Sequence, residues 1–302
     1  MDLQKLIYFI TIVKHRNLTR AAQELYISQP TLTKFLQKLE NELGGRLFLR
    51  TGHNYDLTFL GQRYLEYAQK MLTLHQDWKK ELLDMQSSYE GELNISMPPM
   101  RSVCIFPRIL PEFQKMHPGV HINIYEHDHS IQEALLENSK LDFAIFNYWK
   151  ALTGLCYEFL AREEILLILP PLHPLISHAV PRPGSAYPWL DLSLFGDVPF
   201  ILHFPDQNTG RSARQLFEQY HIQPPVYLQS RNSQLCIQLA ASGAGACFAP
   251  ETYVHYARDL WPIRVFSAGD PPLTNKLVLA YRENSYLSTY AQDFIEIAKK
   301  CL

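Results

Sequence analysis

The 302-residue chain has no run of 18 apolar side chains, no CxxC pair and no set of two cysteines and two histidines at metal-ligand spacing. The first absence argues against a membrane-spanning helix, and the others argue against a zinc site. Five cysteines, Cys104, Cys156, Cys236, Cys247 and Cys301, are too unevenly spaced for a disulfide framework. They read as small buried hydrophobes, with a peroxide-sensing pair as the alternative. GxSxG, HExxH, P-loop and GxGxxG are all missing. No enzyme and no cofactor are therefore expected, whether heme, flavin or nucleotide. The opening MDLQKLIYFITIVKHRN has charges on both sides of a short apolar segment and no small-residue cleavage site, which predicts a cytoplasmic protein without membrane attachment.

What is present is 47% hydrophobic content, enough for sizeable cores in two or so domains. The net charge of -2 suits a nucleic-acid binder poorly until it is divided along the chain. Residues 1–60 hold eight Lys/Arg against five Asp/Glu, net +3, while the remainder holds 20 against 25, net -5. A modest local excess predicts moderate non-specific affinity for DNA, raised by placing several heads on one site.

Leu6, Phe9, Ile10 and Val13 recur at helical spacing and predict a support helix. Thr19 is suited to cap a second helix, where Ala21 and Ala22 permit close approach and Leu25 and Ile27 fill the space below the turn. Ser28 as N-cap and Pro30 in the first turn begin a third helix, with an inner face of Leu32, Leu36, Leu39 and Leu43. Its outer face offers Gln29, Thr31, Thr33, Lys34, Gln37 and Lys38, hydrogen-bond formers suited to the major groove; an ordinary solvated surface is the plainer reading. Gly44 and Gly45 end this helix. Leu47 to Arg50, a turn at Gly52, His53 and Asn54, and Tyr55 to Leu57 read as a wing, with Arg50 placed for phosphate or minor groove. The DNA-binding set is Ser28, Gln29, Pro30, Thr31, Thr33, Lys34, Lys38, Arg50 and His53.

The pattern AAxxLxxSQPxLTxxLxxLExxLGxxLFxR followed by LTxxG resembles the LysR-type transcriptional regulators. FQKMHPGV at Phe113–Val120, LDFAI at Leu141–Ile145 and His173-Pro174-Leu175 extend the resemblance over nearly the whole chain. Thr31, Thr33 and Lys34 depart from the alanine or serine, serine and arginine often found there, which bears on the DNA sequence read. The resemblance implies an α+β protein with an N-terminal winged helix-turn-helix at 1–58, a linker helix at 59–88 and a two-lobed, periplasmic-binding-protein-like α/β effector domain at 91–302. Lobe I takes about 91–162 and 267–302, and lobe II about 163–266. It also implies a double-stranded DNA operator, a homodimer that pairs into a tetramer, and contact with RNA polymerase.

Between Phe59 and Ser88 there is no proline and only Gly61, so one helix of roughly 45 Å is expected. Tyr64, Ala68, Met71, His75, Trp78, Leu82 and Met85 alternate spacings of four and three, which is a coiled-coil seam for dimerisation. The competing reading packs this stripe on its own domain.

Beyond it, strands and helices alternate. Strands are expected at Glu92–Met97, His121–Glu126, Leu141–Phe146, Leu166–Leu169, Pro199–Leu202, Val226–Gln229, Ala246–Ala249 and Lys276–Tyr281. Helices are expected at Val103–Met116, Ser130–Asn138, Ser212–Tyr220, Ser233–Ala241 and Tyr286–Lys300, with crossovers near Arg162 and Phe266 and a surface excursion over Pro170–Pro188. A ligand in such a fold sits at strand carboxyl ends and helix amino ends, where open N–H groups favour anions. The resemblance places Pro99, Met100, Arg101, Ser102, His129, Ser130, Asn147, Tyr148, His203, Phe204 and Asn232 there. Pro99 and Met100 bring no hydroxyl where the family often has one. Arg101, His129 and His203 are the substitute donors, and Phe146, Tyr148 and Phe204 flank a flat or apolar body. A small organic anion, aromatic or otherwise, is the expected effector. The plainer readings are a solvated turn for His127 and His129, core for Phe146 and an acid partner for Arg101. The rival function is a constitutive or thiol-sensing DNA-binding protein whose second domain serves assembly.

Overall fold

The computed structural model describes residues 3–52, 54–86, 90–127, 132, 136 and 140–302. The chain divides into two compact units, residues 1–86 and 87–302.

In the first unit, α1 (Leu3–His15), α2 (Leu18–Glu24) and α3 (Gln29–Leu43) are followed by the hairpin β1 (Phe48–Thr51) and β2 (Asn54–Leu57), then α4 (Phe59–Met85). Asn17, not Thr19, caps α2: its side chain accepts from the backbone N–H groups of Thr19 and Arg20, because the helix starts two residues earlier than a Thr19 cap requires. Ser28 caps α3 and Gly44 ends it in the left-handed region. Leu32, Leu36 and Leu39 are buried, but Leu43 is 40% exposed because the last turn runs past the core. Asn54 opens β2 rather than belonging to the turn, and His53 lies outside the described residues. Phe9 is fully buried, edge-on to Tyr64 at 4.7 Å and tilted against Phe48 at 5.4 Å.

The LTxxG motif has a physical reading here. Thr58 accepts from the Gly61 N–H at 2.9 Å and donates to the Arg46 carbonyl at 2.7 Å. A Cβ at Gly61 would lie 2.1 Å from the Leu47 carbonyl oxygen, so only glycine lets α4 start this close to the wing. The helix is about 40 Å long at 1.5 Å per residue. Its first half does not carry the expected seam. Tyr64, Ala68 and Met71 pack into the core under α1, the competing reading of the stripe. The far half is different, with Leu74, Trp78, Leu82 and Met85 exposed.

The second unit is built on one nine-stranded sheet. Its first half contains β3 (Gly91–Met97), β4 (Val120–Glu126) and β5 (Phe143–Tyr148), with α5 (Pro99–Met116) crossing between β3 and β4. A long β6 (Leu155–Leu169) leads to β7 (Phe200–Leu202), α6 (Asn208–Gln219), β8 (Val226–Gln229), α7 (Ser233–Ala241), β9 (Ala246–Pro250), α8 (Glu251–Ala257) and β10 (Arg264–Ser267). The chain returns through β11 (Thr274–Arg282) and α9 (Thr289–Cys301). The strand order is β4-β3-β5-β11-β6-β9-β7-β8, with β10 also pairing β6. β11 pairs β6 over Leu155–Glu164, whereas β9 and β10 take Ile165–Leu169. One continuous strand thus serves both lobes and crosses between them near Glu163.

Several expected bounds move. α5 begins at Pro99, four residues early, because proline is tolerated in a first helical turn; Pro107 and Pro111 sit inside it without ending it. β6 extends eleven residues before Leu166, through polar Glu158, Arg162, Glu163 and Glu164, which hid it from a hydrophobic reading. α8 and β10 were not expected at all. Of Ser130–Asn138, only Gln132 and Leu136 are described, both helical and buried. The Pro170–Pro188 excursion carries a short 3-10 turn at Pro174–His178.

Candidate functional site

The first candidate is the head's outer surface. Ser28 accepts from the Thr31 N–H at 3.3 Å and shares a hydroxyl contact with Thr31 at 2.8 Å. Gln29 Nε2 donates to Thr33 Oγ1 at 2.8 Å, and that hydroxyl donates to the Gln29 carbonyl at 3.0 Å. The first turn therefore presents an ordered polar row. Charge is sorted as well. Glu42 holds Lys5 at 3.0 Å, Glu24 holds Lys14 at 2.7 Å, Asp56 faces Arg16 at 3.7 Å, and Glu40 accepts from the Leu47 N–H at 2.7 Å. Among the described residues, Arg20, Lys34, Lys38, Arg46 and Arg50 are exposed and have no carboxylate partner. Arg50 donates only to the Gly52 carbonyl, at 3.3 Å. Glu24, Glu40, Glu42 and Asp56 are thus engaged by groups of the head itself, so uncompensated positive charge is left on α3 and the wing.

The second candidate is a cavity of about 720 Å³ where the two halves of the sheet meet. Strand ends and helix starts converge on it. Pro98–Met100 at the start of α5, Gln207–Thr209 at the start of α6 and Asn232–Gln234 at the start of α7 all line it. Neither α5 nor α6 has a side-chain cap, so N–H groups in their first turns stay available to a ligand.

Of the residues expected here, Pro99, Met100, Asn147, His203 and Asn232 line the cavity, as does Phe146. Tyr148 does not. It packs edge-on to Tyr157 at 5.2 Å instead. Ser102 is buried and donates to the Pro99 carbonyl at 2.7 Å and to Glu126. Phe204 lies under Arg231 at 5.3 Å, outside the lining. His129 and Ser130 lie outside the described residues.

Arg101 is the main correction. It is 1% exposed and makes a two-pronged pair with Glu163, Nη1 to Oε2 at 2.8 Å and Nη2 to Oε1 at 2.7 Å. Nη2 also donates to Asn147 at 2.8 Å, and the guanidinium lies 4.8 Å from the Tyr253 ring. Glu163 is completed by Asn147 Nδ2 at 2.6 Å and Thr252 Oγ1 at 2.6 Å. Burial works against both charges. The pairing prevails, holding the Glu163 carboxyl below its ordinary range and the Arg101 guanidinium above its own. The acid partner of Arg101 is therefore interior, and the residue braces the cavity floor instead of donating into it.

His203 is 4% exposed, its Nε2 2.9 Å from Ser233 Oγ. Burial pulls its pKa down to about 4, so at neutral pH it is an uncharged ring. The cation facing the cavity is one the sequence reading missed. Arg211, on the first turn of α6, lies 4.9 Å from the Trp149 ring, which comes from beyond β5 in the other lobe. Its Nη1 donates to the Asp206 carbonyl at 2.8 Å. Arg231 is matched by the Asp206 carboxylate at 2.5 Å. The signal was local: an expected helix start at Ser212 left FPDQNTGR as a loop, although Gly210 belongs to the helix. A Cβ there would meet the Phe204 carbonyl oxygen at 2.1 Å. Gly210→Ala is expected to lower stability by about 1–3 kcal/mol, read as a lower thermal midpoint; an unchanged midpoint would show that the close approach relaxes freely.

Three of the five thiols are poorly suited to the sensing alternative, whereas Cys156 and Cys301 are half-buried. Cys104, Cys236 and Cys247 are buried, and burial pushes the first two up to about 11 and the third well above its ordinary range. They stay protonated, which disfavours peroxide attack. Among the described residues, no His/Cys/Asp/Glu cluster could hold a metal ion, and no helix is long and apolar enough to cross a membrane.

A winged helix-turn-helix joined to a two-lobed α/β unit with a cavity at its strand ends defines the class: a DNA-binding regulator with an effector-binding domain. Residues 3–62 match the bacterial regulatory helix-turn-helix protein, lysR family, and residues 86–301 match the LysR substrate binding domain; the chain belongs to the LysR family of transcriptional regulators. It is 25% identical over 311 aligned residues to the uncharacterized HTH-type transcriptional regulator YcgK of Bacillus subtilis (strain 168), covering 100% of this chain and 95% of that protein. A full-length OxyR variant from Pseudomonas aeruginosa shares the fold with a TM-score of 0.72 at 23% identity, over 100% of this chain and 95% of that one. Full-length CbnR complexed with its target DNA gives 0.55 at 20% identity, over 100% and 99%. LysR regulators bind DNA and small-molecule effectors and form oligomers.

Proposed function

We propose that residues 1–58 read an operator through Ser28, Gln29, Pro30, Thr31, Thr33, Lys34 and Lys38, with Arg50 and His53 of the wing on the backbone. The observation that carries this reading is the sorting of charge in the head, where Glu24, Glu40, Glu42 and Asp56 are engaged by groups of the head itself and Lys34, Lys38 and Arg50 stay uncompensated on the outer face. Residues 59–88 serve dimerisation, with the contact confined to the exposed far half of α4. Trp78, Leu82 and Met85 there are a surface that a second copy would bury. Two dimers pair into a tetramer, and RNA polymerase is the protein partner of the assembly in the cytoplasm.

Residues 91–302 take a small organic anion in the cavity between the lobes. The effector acts by binding one lobe arrangement more tightly than another, which reorients the heads. The test is a footprint of full-length protein on the DNA beside its own gene, followed by variants. Lys34→Ala and Thr33→Ala are expected to lose about 1–3 kcal/mol of discrimination against altered operators, whereas Arg50→Ala weakens operator and random DNA alike. Equal losses on both DNAs for all three would remove the base-reading roles.

A further inference from the structure

The charges around the cavity narrow the effector further, granted the effector reading above. Arg101 is engaged by Glu163, and Arg231 by Asp206. His203 is buried against Ser233. Arg211 is the cation left over: among the described residues it forms no ion pair with a carboxylate, its contacts being the Asp206 carbonyl and the face of Trp149, and the Asp206 carboxylate, already taken by Arg231, acts on it only at longer range. It stands one turn into α6, whose first N–H groups have no side-chain cap. The wall is not otherwise welcoming to negative charge. Glu126 lines the lobe I side and Asp206 the lobe II side. The space between is bounded by Met100, Val103, Phe146 and Tyr253.

We infer that this cavity takes a monoanion, a carboxylic acid with an apolar, ring-sized body, whose carboxylate docks on Arg211 and the open first turn of α6. The guanidinium fork matches a single carboxylate in two-pronged fashion. A second carboxylate on the lobe I side would face Glu126, and like charges at short range in a shielded site repel strongly; among the described residues the His127 ring is the one titratable donor beside it, and no Lys or Arg lines that side. Selection against dianions is therefore built into the wall. The Trp149 contact adds a consequence for regulation. Arg211 is a lobe II residue stacked on a lobe I ring, so an acid bound at Arg211 sits where the two lobes touch.

The test uses full-length protein and isothermal titration with benzoate, phenylacetate and 3-phenylpropionate, against terephthalate as matched dianion and benzamide as matched neutral compound. At least one monocarboxylate is expected to bind about tenfold or more tightly than terephthalate and benzamide. Arg211→Gln is expected to weaken that binding by about tenfold, with Arg211→Lys recovering part of it. Terephthalate binding equally well, Arg211→Gln binding like wild type, or no monocarboxylate binding up to about 10 mM would each overturn the assignment. DNA protection by the same preparation separates that failure from failure of the regulator reading, since a protein that footprints an operator but ignores these acids is still a regulator.

Discussion

Glu163→Gln is expected to lower the unfolding free energy of the C-terminal unit by about 3–5 kcal/mol, because it leaves the Arg101 charge buried without its counter-charge. For a unit of this size that corresponds to a drop of roughly 10 °C in its thermal midpoint. The figure follows from the surroundings. Arg101 is 1% and Glu163 3% exposed, so water cannot take over the lost interaction. The carboxylate also gathers Asn147 from β5 and Thr252 from α8, so its loss loosens elements of both lobes at once. The double variant Arg101→Met/Glu163→Leu separates charge from packing: with both charges gone, it is expected to regain more than half of the lost stability, since an apolar pair of similar volume avoids the burial cost. Differential scanning calorimetry of the three proteins decides it. A Glu163→Gln protein melting with the wild type would show that the pair contributes nothing.

Acid sensitivity is the second large effect. The folded-state pKa of His203 is pulled down to about 4 by burial, while in the unfolded chain it returns to about 6.5. Above pH 6.5 neither state is protonated and the group contributes no pH dependence. As pH falls from 6.5 towards 4, the unfolded chain binds a proton that the folded one refuses, so stability declines, by about 3 kcal/mol over the interval. Below pH 4 both states bind it and this contribution levels off. His203→Gln keeps a side chain able to reach Ser233 but cannot titrate. Its stability-versus-pH curve is expected to fall less steeply than the wild type's between pH 6.5 and 4, and parallel curves would contradict the assignment. Because His203 lines the cavity, the same substitution reports on the effector: a neutral ring predicts little change in ligand affinity between pH 7 and 8.

What the sequence made legible follows from how local each signal is. The head was readable almost residue by residue, since N-caps such as Ser28, the small pair Ala21 and Ala22, and the glycines after α3 act within one or two turns. Alternating strands and helices in the second unit were readable for the same reason. Long-range contacts were not. The seam of α4 has the right period from Tyr64 to Met85, yet only the far half is exposed, because α1 covers the first half. Arg101 looked like a ligand donor from its place after β3; its partner Glu163 lies 62 residues away on a strand too polar to announce itself. Arg211 was missed through a four-residue error in a helix start, and no spacing rule links it to Trp149 in the other lobe.

The central claim is that α3 and the wing read a specific DNA sequence in the full-length assembly. The most direct measurement is selection of binding sites from a random duplex pool by the full-length protein at physiological salt with excess competitor DNA. The account predicts enrichment of a two-fold related sequence whose half-sites are spaced by whole helical turns, with Lys34→Ala relaxing preference at one position in each half. Binding without any enriched sequence, or an enriched sequence indifferent to every substitution on α3, would contradict it.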